Sequence, residues 1–581
     1  MKKFLIGIII FTFCVSLSMA DESSTKSNLT SPLINHRVDG GDPLPDMPVI
    51  PYTPNVLTDS PGEIVGTTQY DYQTNGSTGR RIAVDSQGGV HFAWMNAPSY
   101  PSSREVSYNY VSPDNNWLGA TTVSQSNGAG YCNLALTNDD RAVVIYHQWQ
   151  VDPHAVIAID AFTGFGIFDF YDPPDMLDFR GYWPYGAVDG QDYIHIVVIE
   201  NSANAGDPQT LGYTRSEDGG STWTLIEAVD TLTVISQSVA ASPVSNKVAI
   251  MYTHPTDITS QWYNDIYYVE SDDGVTWDFR FDKVNITNYG SPDSLFAYTD
   301  LSGVYDYNDD LNIVWNAQWI SEDGAIYYRT YLYHYNTGTE TISEIDYHPD
   351  TSWAAGCDFG AWNRPISKMS IATIIDTWAL LITYTKFDDQ DCSLGGYANG
   401  DIYYQFGTDH GTLWGPPVNM TDSQTPGCAA GDCDSDHWST IAEIADNQNL
   451  HLIFIEDKDA GGIAQTEGVA TVNPVKYLSY PFEPVGIEND EFIPVSFNLD
   501  QNYPNPFNAI TKISFNLEFE SDVKLTIYDI TGAKVTTIVD RQLIAGEHSV
   551  NWDASSVASG IYYYSLMAND ETLTLPMTLI K

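Results

Sequence analysis

The chain has 581 residues, and 24 lysines and arginines against 76 aspartates and glutamates give it a formal net charge of −52 at pH 7. Binding to nucleic acid or to an anionic bilayer surface depends on clustered cations, so this charge excludes both classes of partner. Apolar residues make up 43% of the chain, and its 38 tyrosines, 15 tryptophans and 43 glycines suit pleated strands and tight turns. At about 150 residues per domain, the length predicts several domains, all of them rich in β-structure.

The amino terminus has the pattern of a cleaved secretory signal peptide. Lys2 and Lys3 precede an apolar run, and residues 18–20 place small residues at the −3 and −1 sites of a signal peptidase. The run is shorter than the roughly 20 apolar residues that span a bilayer. We therefore expect residues 1–20 to be removed on export. Residues 21–60 are rich in proline and polar residues without apolar periodicity, which predicts an extended leader.

Five cysteines remain after this cleavage, and export to an oxidising compartment favours pairing. We predict one disulfide between Cys428 and Cys433, which would close a short loop, and a second between Cys357 and Cys392, although spacing alone leaves other pairings open. Cys132 lies in a predicted inner strand and is expected to be a buried free thiol. The cysteines lack the paired spacing of a zinc site.

A strand, a polar turn containing aspartate and a second alternating strand recur through the middle of the chain. The clearest copies are residues 82–94, 186–198 and 442–454. Weaker copies lie at 134–146, 239–252, 304–315 and 369–384, so that seven copies follow one another at intervals of about 50 to 75 residues. This repetition predicts a β-propeller spanning residues 61–482, with seven blades as the best count and six or eight as alternatives. His91, His195 and His451 occupy the same place in three copies, which indicates a shared structural role on separate blades.

A third motif follows some of these copies, at residues 216–223 (SEDGGSTW), 270–277 (ESDDGVTW) and 407–414 (GTDHGTLW). These segments resemble the Asp box, S-x-D-x-G-x-T-W, of sialidase-like (BNR) β-propellers, with Glu270, Gly407 and Leu413 as departures. In such a turn the carboxylate accepts backbone N–H bonds, the glycine adopts a positive φ and the tryptophan packs between sheets. The resemblance implies a propeller fold and a structural role for Asp218, Gly220, Trp223, Asp272, Gly274, Trp277, Asp409, Gly411 and Trp414.

The carboxy-terminal part, residues 498–581, follows a predicted linker at 483–497 and has its own all-β pattern. The runs QNYPNPFNAITKISFNL (501–517), VKLTIYDITGAKV (523–535) and GIYYYSL (560–566) resemble the C-terminal sorting domain of the type IX secretion system. That family has an Ig-like sandwich, related to the domain of flagellar hook-capping proteins. The resemblance implies export through the periplasm of a Gram-negative-type bacterium, with the secretion machinery as a partner. Ala509 stands where the family usually has proline.

Residues just before each innermost strand of a propeller crowd the mouth of its central channel. Aromatic faces there stack on sugar rings and arginine holds carboxylates, so the sequence favours an acidic or neutral glycan as ligand. A sialidase would need an arginine triad, for which Arg81, Arg180 and Arg364 are the available residues, but its F-R-I-P motif is missing before the first blade. The candidate ligand-binding residues are Arg80, Arg81, Tyr131, Trp183, Tyr185, Gln237, Tyr298, Arg364, His437 and Trp438.

Alternating carboxylates in tight loops can supply several of the oxygen ligands that calcium takes. Asp432, Asp434 and Asp436 form one such run, and the acidic turns at 306–310 and 388–391 are similar. Structural calcium and plain solvated turns are both consistent with this pattern. For the whole protein the sequence favours extracellular binding of a glycan or protein ligand without catalysis. A sialidase-like glycoside hydrolase or a lyase, and a structural surface or adhesion component, are the alternatives.

Overall fold

The computed structural model describes residues 49–52, 60–482 and 498–580, with gaps at 75, 101, 150–152, 176–180, 201–208, 258–262, 291–294, 321–325, 350–356, 376, 446–448, 500, 503, 518–520, 544–545, 556 and 569–570. The predicted signal peptide and linker lie outside the described residues. The chain divides into two compact units, residues 1–482 and 483–581. Within the described residues no helix is both long and apolar enough to cross a membrane.

The first unit contains, among its described residues, seven small antiparallel sheets in chain order, which we number as blades. Blade 1 contains β2 (Ile82–Val84), β3 (Val90–Ser99), β4 (Ser103–Val111) and β5 (Thr121–Thr122), and blade 2 contains β6 (Gly130–Leu136), β7 (Ala142–Trp149), β8 (Pro153–Asp160) and β9 (Phe168–Tyr171). Blade 3 contains β10 (Gly181–Val188), β11 (Ile194–Glu200), β12 (Gln209–Ser216) and β13 (Glu227–Thr233).

The next two blades are joined by one strand pairing, between Asn264 and Ala297. Blade 4 contains β14 (Gln237–Ala241), β15 (Val248–Pro255), β16 (Asn264–Ser271) and β17 (Val284–Asn285), and blade 5 contains β18 (Leu295–Tyr305), β19 (Leu311–Ile320), β20 (Ile326–Asn336) and β21 (Thr341–His348). Blade 6 contains β22 (Ile366–Ile374), β23 (Leu380–Cys392), β24 (Ala398–Thr408), β25 (Leu413–Trp414) and β26 (Val418–Asn419), with a single-turn 3-10 helix at Asp409–Gly411.

The last blade closes the ring because it contains both the first and the last strands of the unit. Blade 7 contains β1 (Glu63–Thr68), β27 (Ser435–Ile441), β29 (Asn449–Asp457) and β30 (Asn473–Pro481), while the short β28 (Ile444–Ala445) pairs in parallel with β22. The outermost strand β1 pairs with β30, and the inner strand β27 contacts both β22 and β2. The prediction of a β-propeller is confirmed, and its described strands form seven blades.

The repeat found in the sequence is the first hairpin of each blade. In blade 1, Asp85 accepts the N–H groups of Gln87 and Gly89 at 2.9 and 2.7 Å, which is the geometry of an Asx turn. The His91 ring lies 3.5 Å from the Asp85 carboxylate and 2.7 Å from the Tyr108 hydroxyl on the third strand. The same contacts recur in blade 3 with Asp189, His195 and Tyr213, and the histidine–tyrosine contact recurs in blade 7 with His451 and Tyr477. These histidines therefore hold strands together within separate blades.

Part of the predicted leader is ordered against blade 7. Ile50 donates its N–H to Ala470 at 2.8 Å and accepts from Val472 at 2.9 Å. Ser60 is buried and donates to the Asp436 carboxylate at 2.7 Å. Described structure therefore includes part of the predicted leader, because strand-type hydrogen bonds fix a segment that has no apolar periodicity.

The cysteines pair as the sequence analysis proposed. Cys357 and Cys392 are bonded with their Cα atoms 5.6 Å apart, and Cys428 and Cys433 are bonded at 5.0 Å. Both bonds fasten loops around blade 6. Cys132 is a buried free thiol.

The second unit is a β-sandwich with its own hydrophobic core. One sheet contains β31 (Asn498–Leu499), β32 (Ile510–Leu517) and β35 (Gly546–Asp553), and the other contains β33 (Ser521–Asp529), β34 (Lys534–Leu543), β36 (Gly560–Ala568) and β37 (Glu571–Leu579). Leu525, Ile527, Trp552 and Tyr564 are buried between the sheets. The predicted all-β carboxy-terminal module is confirmed.

Candidate functional site

Most of the residues that the sequence nominates for ligand contact gather at one end of the channel, where the inner strands begin, which we call the upper mouth. Arg80 and Tyr185 also reach a cavity in the lower part of the channel. Nine of the ten are buried: Arg81, Tyr131, Trp183, Tyr185, Gln237, Tyr298, Arg364, His437 and Trp438. Arg80 is the partly exposed member. Another part of the chain covers the nine buried residues, so they do not face open solvent.

That cover is the hub segment, residues 70–79, which links β1 in blade 7 to β2 in blade 1. Tyr72 donates its hydroxyl proton to the carbonyl of Ala361, just before blade 6. Further along, the carbonyl of Ser77 accepts the hydroxyl of Tyr185 in blade 3, and Gly76 lies against the carbonyl of Ile235, just before blade 4. The hub segment thus crosses the upper mouth, and its tyrosines join one large apolar cluster there.

The two adjacent arginines extend into different parts of the hub. Arg81 donates to the side-chain oxygen of Gln73 in the hub segment at 3.2 Å and to the carbonyl of Trp438. Among the described residues no carboxylate pairs with Arg81, and burial lowers the pKa of its guanidinium to about 10. Arg80 donates to carbonyls of β18, β22 and β27, at Gly303, Ile371 and Ile441. Both arginines therefore tie blades together.

A three-arginine substrate clamp does not form from the described residues. Arg364 is buried, with its guanidinium 5.8 Å from the ring centre of Tyr298, while Arg180 lies outside the described residues. The nearby buried cation is Lys368, whose ammonium lies 3.2 Å from Asp300. Lys368 and Asp300 neutralise each other inside the protein, so neither presents its charge to a substrate.

Bulges in the inner strands explain why aromatic residues point into the hub. The pairing register shifts near the start of β6, β10, β22 and β27. A bulge re-aims the side chain at the extra residue. Non-glycine residues with a positive φ stand at these bulges: Tyr131, Trp183, Lys368 and Trp438, with φ of 53°, 45°, 56° and 58°.

Two acids beside the upper mouth, the buried Asp71 and the half-buried Glu467, bind their protons more tightly than exposed acids do. Burial raises the pKa of Asp71, which accepts the N–H of Ile463 at 2.7 Å, and the negative charge of Asp457 adds to the effect. Burial also raises the pKa of Glu467 to about 7, although its carboxylate accepts the N–H of Ala361 at 2.9 Å. These groups fasten loops that pack against the hub segment.

The predicted calcium ligands do not converge. Asp432 is exposed, Asp434 forms an ion pair with Lys458, and Asp436 accepts hydroxyl protons from Ser60 and Ser423 at 2.7 and 2.6 Å. Among the described residues, they do not form a cluster with ligand spacing.

The Asp-box turns connect the third and fourth strands of blades 3, 4 and 6. In the first box, Asp218 accepts both the N–H and the hydroxyl proton of Thr222 at 2.7 Å, and Trp223 donates to the carbonyl of Gly220 at 2.9 Å. In the third box, Asp409 accepts the hydroxyl of Thr412 at 2.7 Å, and Trp414 donates to Gly411 at 2.8 Å. Thr412 therefore donates the hydroxyl hydrogen bond that the motif threonine donates in the first box, although it lies one position before Leu413, the residue aligned with that threonine.

The second box corrects a residue assignment. The accepting carboxylate is Asp273, which binds the N–H groups of Val275 and Thr276 at 2.8 and 2.6 Å and the hydroxyl of Thr276 at 2.9 Å. Asp272, the residue aligned by counting back from Trp277, does not have this role. The turn is one residue shorter than the first box, so the alignment must be counted from Ser271, which donates to Asp273 at 3.0 Å.

The lower part of the channel holds a cavity of about 210 Å³. Aliphatic residues at the ends of the inner strands line it, among them Val84, Leu136 and Val188. Arg80 and Glu443, with 3.7 Å between charged atoms, supply its charges. Both of its charged side chains have internal partners.

A larger open groove of about 410 Å³ lies between β1 of blade 7 and the outer strands of blade 1. Its size falls in the range of roughly 300–1,000 Å³ that is common for small-molecule sites. Of the described residues that line it, none has a titratable side chain. Its lining residues are Ile64, Val65, Gly66, Thr67, Trp94, Asn96, Asn109, Trp117, Gly119 and Ala120.

Two side chains build the wall of this groove. Asn109 donates to the carbonyl of Val65 at 2.8 Å and accepts from the N–H of Gly119 at 3.0 Å, so it joins the two sides. The half-buried Trp117 stacks one face on Phe92, with 5.7 Å between ring centres and 15° between planes. Sequence reasoning missed this groove because Trp117 lies outside every repeated motif. A lone tryptophan after an Asn–Asn turn was the available signal.

Comparison with known proteins identifies the second unit. Residues 501–580 match the family model described as secretion system C-terminal sorting domain. No curated protein sequence gives a significant match to the chain. Among solved structures, the polysaccharide lyase Uly1 is similar over 74% of this chain and 96% of its own, with 10% identity and a TM-score of 0.44.

Two further solved structures are similar to the chain. An α-L-arabinanase of Penicillium chrysogenum matches 72% of this chain and 97% of its own, with 10% identity and a TM-score of 0.37. A sialidase of Trypanosoma rangeli matches 89% of this chain and 88% of its own, with 9% identity and a TM-score of 0.36. The sequence match in the second unit is the informative one: residues 501–580 match a sorting domain, which indicates export of the protein to the cell surface or the medium.

Proposed function

We propose that this exported propeller binds a neutral oligosaccharide in the groove between blades 7 and 1 and does not cleave it. The observation that carries the proposal is the chemistry of the groove lining, which combines indole, amide, hydroxyl and backbone groups with the aliphatic side chains of Ile64, Val65 and Ala120. Indole faces stack on the apolar faces of sugar rings, and amides exchange hydrogen bonds with sugar hydroxyls.

The accessible part of Trp117 is the stacking surface in this proposal. Phe92 holds the ring in place from the other side. The half-buried Asn96 and the exposed Thr67 lie along the same groove and supply polar groups. A rigid aromatic with polar neighbours loses little conformational entropy on binding, which favours affinity.

None of the described residues that line the groove has a titratable side chain, which argues against catalysis at this place. Glycosidic bond cleavage requires a proton donor and a base or nucleophile, most often a pair of carboxylates. A formal charge of −52 also disfavours an acidic glycan, because the chain repels it over several ångströms. The proposal is therefore confined to neutral sugars.

Calorimetric titration of the mature protein with gluco-, manno-, xylo- and arabino-oligosaccharides tests the proposal. We expect saturable binding of at least one of them, weakened about tenfold or more by Trp117→Ala, since truncating a central aromatic anchor costs about 1.4 kcal/mol or more. Trp149→Ala is the matched control, because Trp149 is exposed on β7 and does not line the groove.

Chromatography of the same mixtures separates the alternatives. Unchanged oligosaccharide together with binding supports the proposal. Release of shorter products would identify a hydrolase or a lyase instead. Failure of every oligosaccharide to bind, with both variants still folded, would favour a structural surface component.

A further inference from the structure

A cluster of three potential metal ligands joins blades 5 and 6, away from the groove. Asp306 and Asp310 belong to the turn between β18 and β19, and His410 belongs to the Asp-box turn of blade 6. One ligand atom from each lies within 4.8 Å of the others. The imidazole Nδ1 of His410 is 3.8 Å from the carboxylate of Asp310.

The Asp306 carboxylate of blade 5 has no histidine partner, unlike the corresponding turn aspartates of blades 1 and 3. In blades 1 and 3, the turn aspartate faces a histidine of its own second strand, as Asp189 faces His195 at 3.1 Å. In blade 5 the corresponding contact is with the neutral amide of Asn312, at 3.2 Å. Asn312 thus stands where blades 1 and 3 have a histidine, and its amide cannot carry a positive charge.

The nearby lysine forms ion pairs with carboxylates other than Asp306 and Asp310. Lys247 is the nearby lysine, and its ammonium pairs with Glu270 at 3.5 Å and with Asp309 at 3.8 Å. Within the described part of the chain, no lysine or arginine pairs with Asp306 or Asp310. Asp306 is fully buried, and buried carboxylates are normally paired or bound to a metal.

The third ligand is held in position by its own blade. His410 has a φ of 56° inside the Asp-box turn, and its ring stacks on Trp378, with 5.4 Å between ring centres. Asp306 is held equally firmly, since its Oδ1 accepts the N–H groups of Asn308 and Asp310 at 2.9 and 3.1 Å. The ligands are thus placed by rigid turns from two blades.

We infer that Asp306, Asp310 and His410 bind a divalent transition metal ion of the zinc class, which links blade 5 to blade 6. Two carboxylates and one imidazole, with water in the remaining position, are a ligand set that zinc accepts. Calcium takes six to eight oxygen ligands, so an imidazole in the set favours zinc over calcium.

Zinc titration of the untagged, chelator-treated mature protein tests the inference by calorimetry and thermal unfolding. We expect tight binding at this site and a higher unfolding temperature with zinc, and a much smaller effect of calcium. His410→Ala and Asp310→Asn should each weaken that binding tenfold or more and abolish the temperature shift. Asp309→Asn is the control, because it removes a charge from the same turn but no proposed ligand.

Two results would overturn the inference. One is equal zinc binding and stabilisation by wild type and His410→Ala. The other is calcium binding that matches zinc binding and does not depend on His410. Should one variant fail to fold, Asp310→Asn and His410→Ala act on different blades, so the surviving variant still decides the question.

Discussion

At the scale of single residues, the Asp boxes show what a motif can and cannot predict. The first box matches the pattern at every position, and its aspartate, glycine and tryptophan have the expected contacts. The second box is one residue shorter, and alignment from its tryptophan selects Asp272 where the hydrogen bonds select Asp273. A motif predicts that a turn exists, but the register within it depends on backbone geometry that residue letters do not contain.

Asp272 and Asp273 are adjacent, and only Asp273 accepts the hydrogen bonds of the turn, so variants of the two can be compared directly. Asp273→Ala should lower the unfolding temperature, because it leaves two turn N–H groups and a threonine hydroxyl without their acceptor. Asp272→Ala should leave that temperature almost unchanged. Differential scanning calorimetry of the two variants at pH 7 checks the prediction, and a larger effect of Asp272→Ala would contradict the assignment.

Glu467 gives a prediction for the dependence of stability on pH. Its folded pKa is raised to about 7 by burial, against roughly 4.3 for an exposed glutamate. The folded state therefore holds a proton that the unfolded state has released, and the stability from this group falls as pH rises from about 4.3 to 7. Glu467→Gln should flatten that part of the curve of unfolding free energy against pH. Glu227→Gln, at an exposed position, should not, and an unchanged slope in Glu467→Gln would refute the account.

At the scale of elements, the sequence predicts the first hairpin of each blade well, because its alternating strands and Asx turn are local features. The outermost strands are harder, since β5, β17, β25 and β26 contain only two residues each. The position of the hub segment could not be predicted from the sequence. It has no periodicity, and its contacts with Ala361 and Tyr185 are formed with residues more than a hundred positions away.

The hub segment nevertheless makes a testable contribution to stability. Gln73 accepts from the N–H of Met95 at 2.9 Å and from Arg81, and it donates to the carbonyls of Tyr70 and Met95. Gln73→Leu leaves these buried groups unpaired, and we expect a loss of roughly 3 kcal/mol in the free energy of unfolding. Denaturant titration measures it, with Gln125→Leu at an exposed position as control. A loss no larger than that of the control would show that the segment does not fasten the hub.

At the scale of the whole molecule, the closed hub changes which surface is available to a ligand. The sorting domain is expected from the resemblance of its sequence runs to a known family. Repeats and spacing predict the ring of blades, which follows from patterns along the chain. They cannot predict which surface is covered, because covering Arg81, Trp183 and Trp438 depends on one connecting segment. The open groove arises from closure of the ring itself, where β1 meets blade 1. Its residues come from β1, from β3 around Trp94 at the end of the first repeat, and from β4 and the segment after it, and no single motif links these parts of the sequence.

Hydrogen–deuterium exchange of the mature protein, with and without an oligosaccharide that binds, tests the central claim most directly. The account predicts slower exchange in peptides covering residues 63–68 and 117–120, which line the groove, with no change in peptides covering the hub segment at 70–79. Slower exchange in the hub segment, with the groove peptides unchanged, would contradict it and return the ligand to the upper mouth.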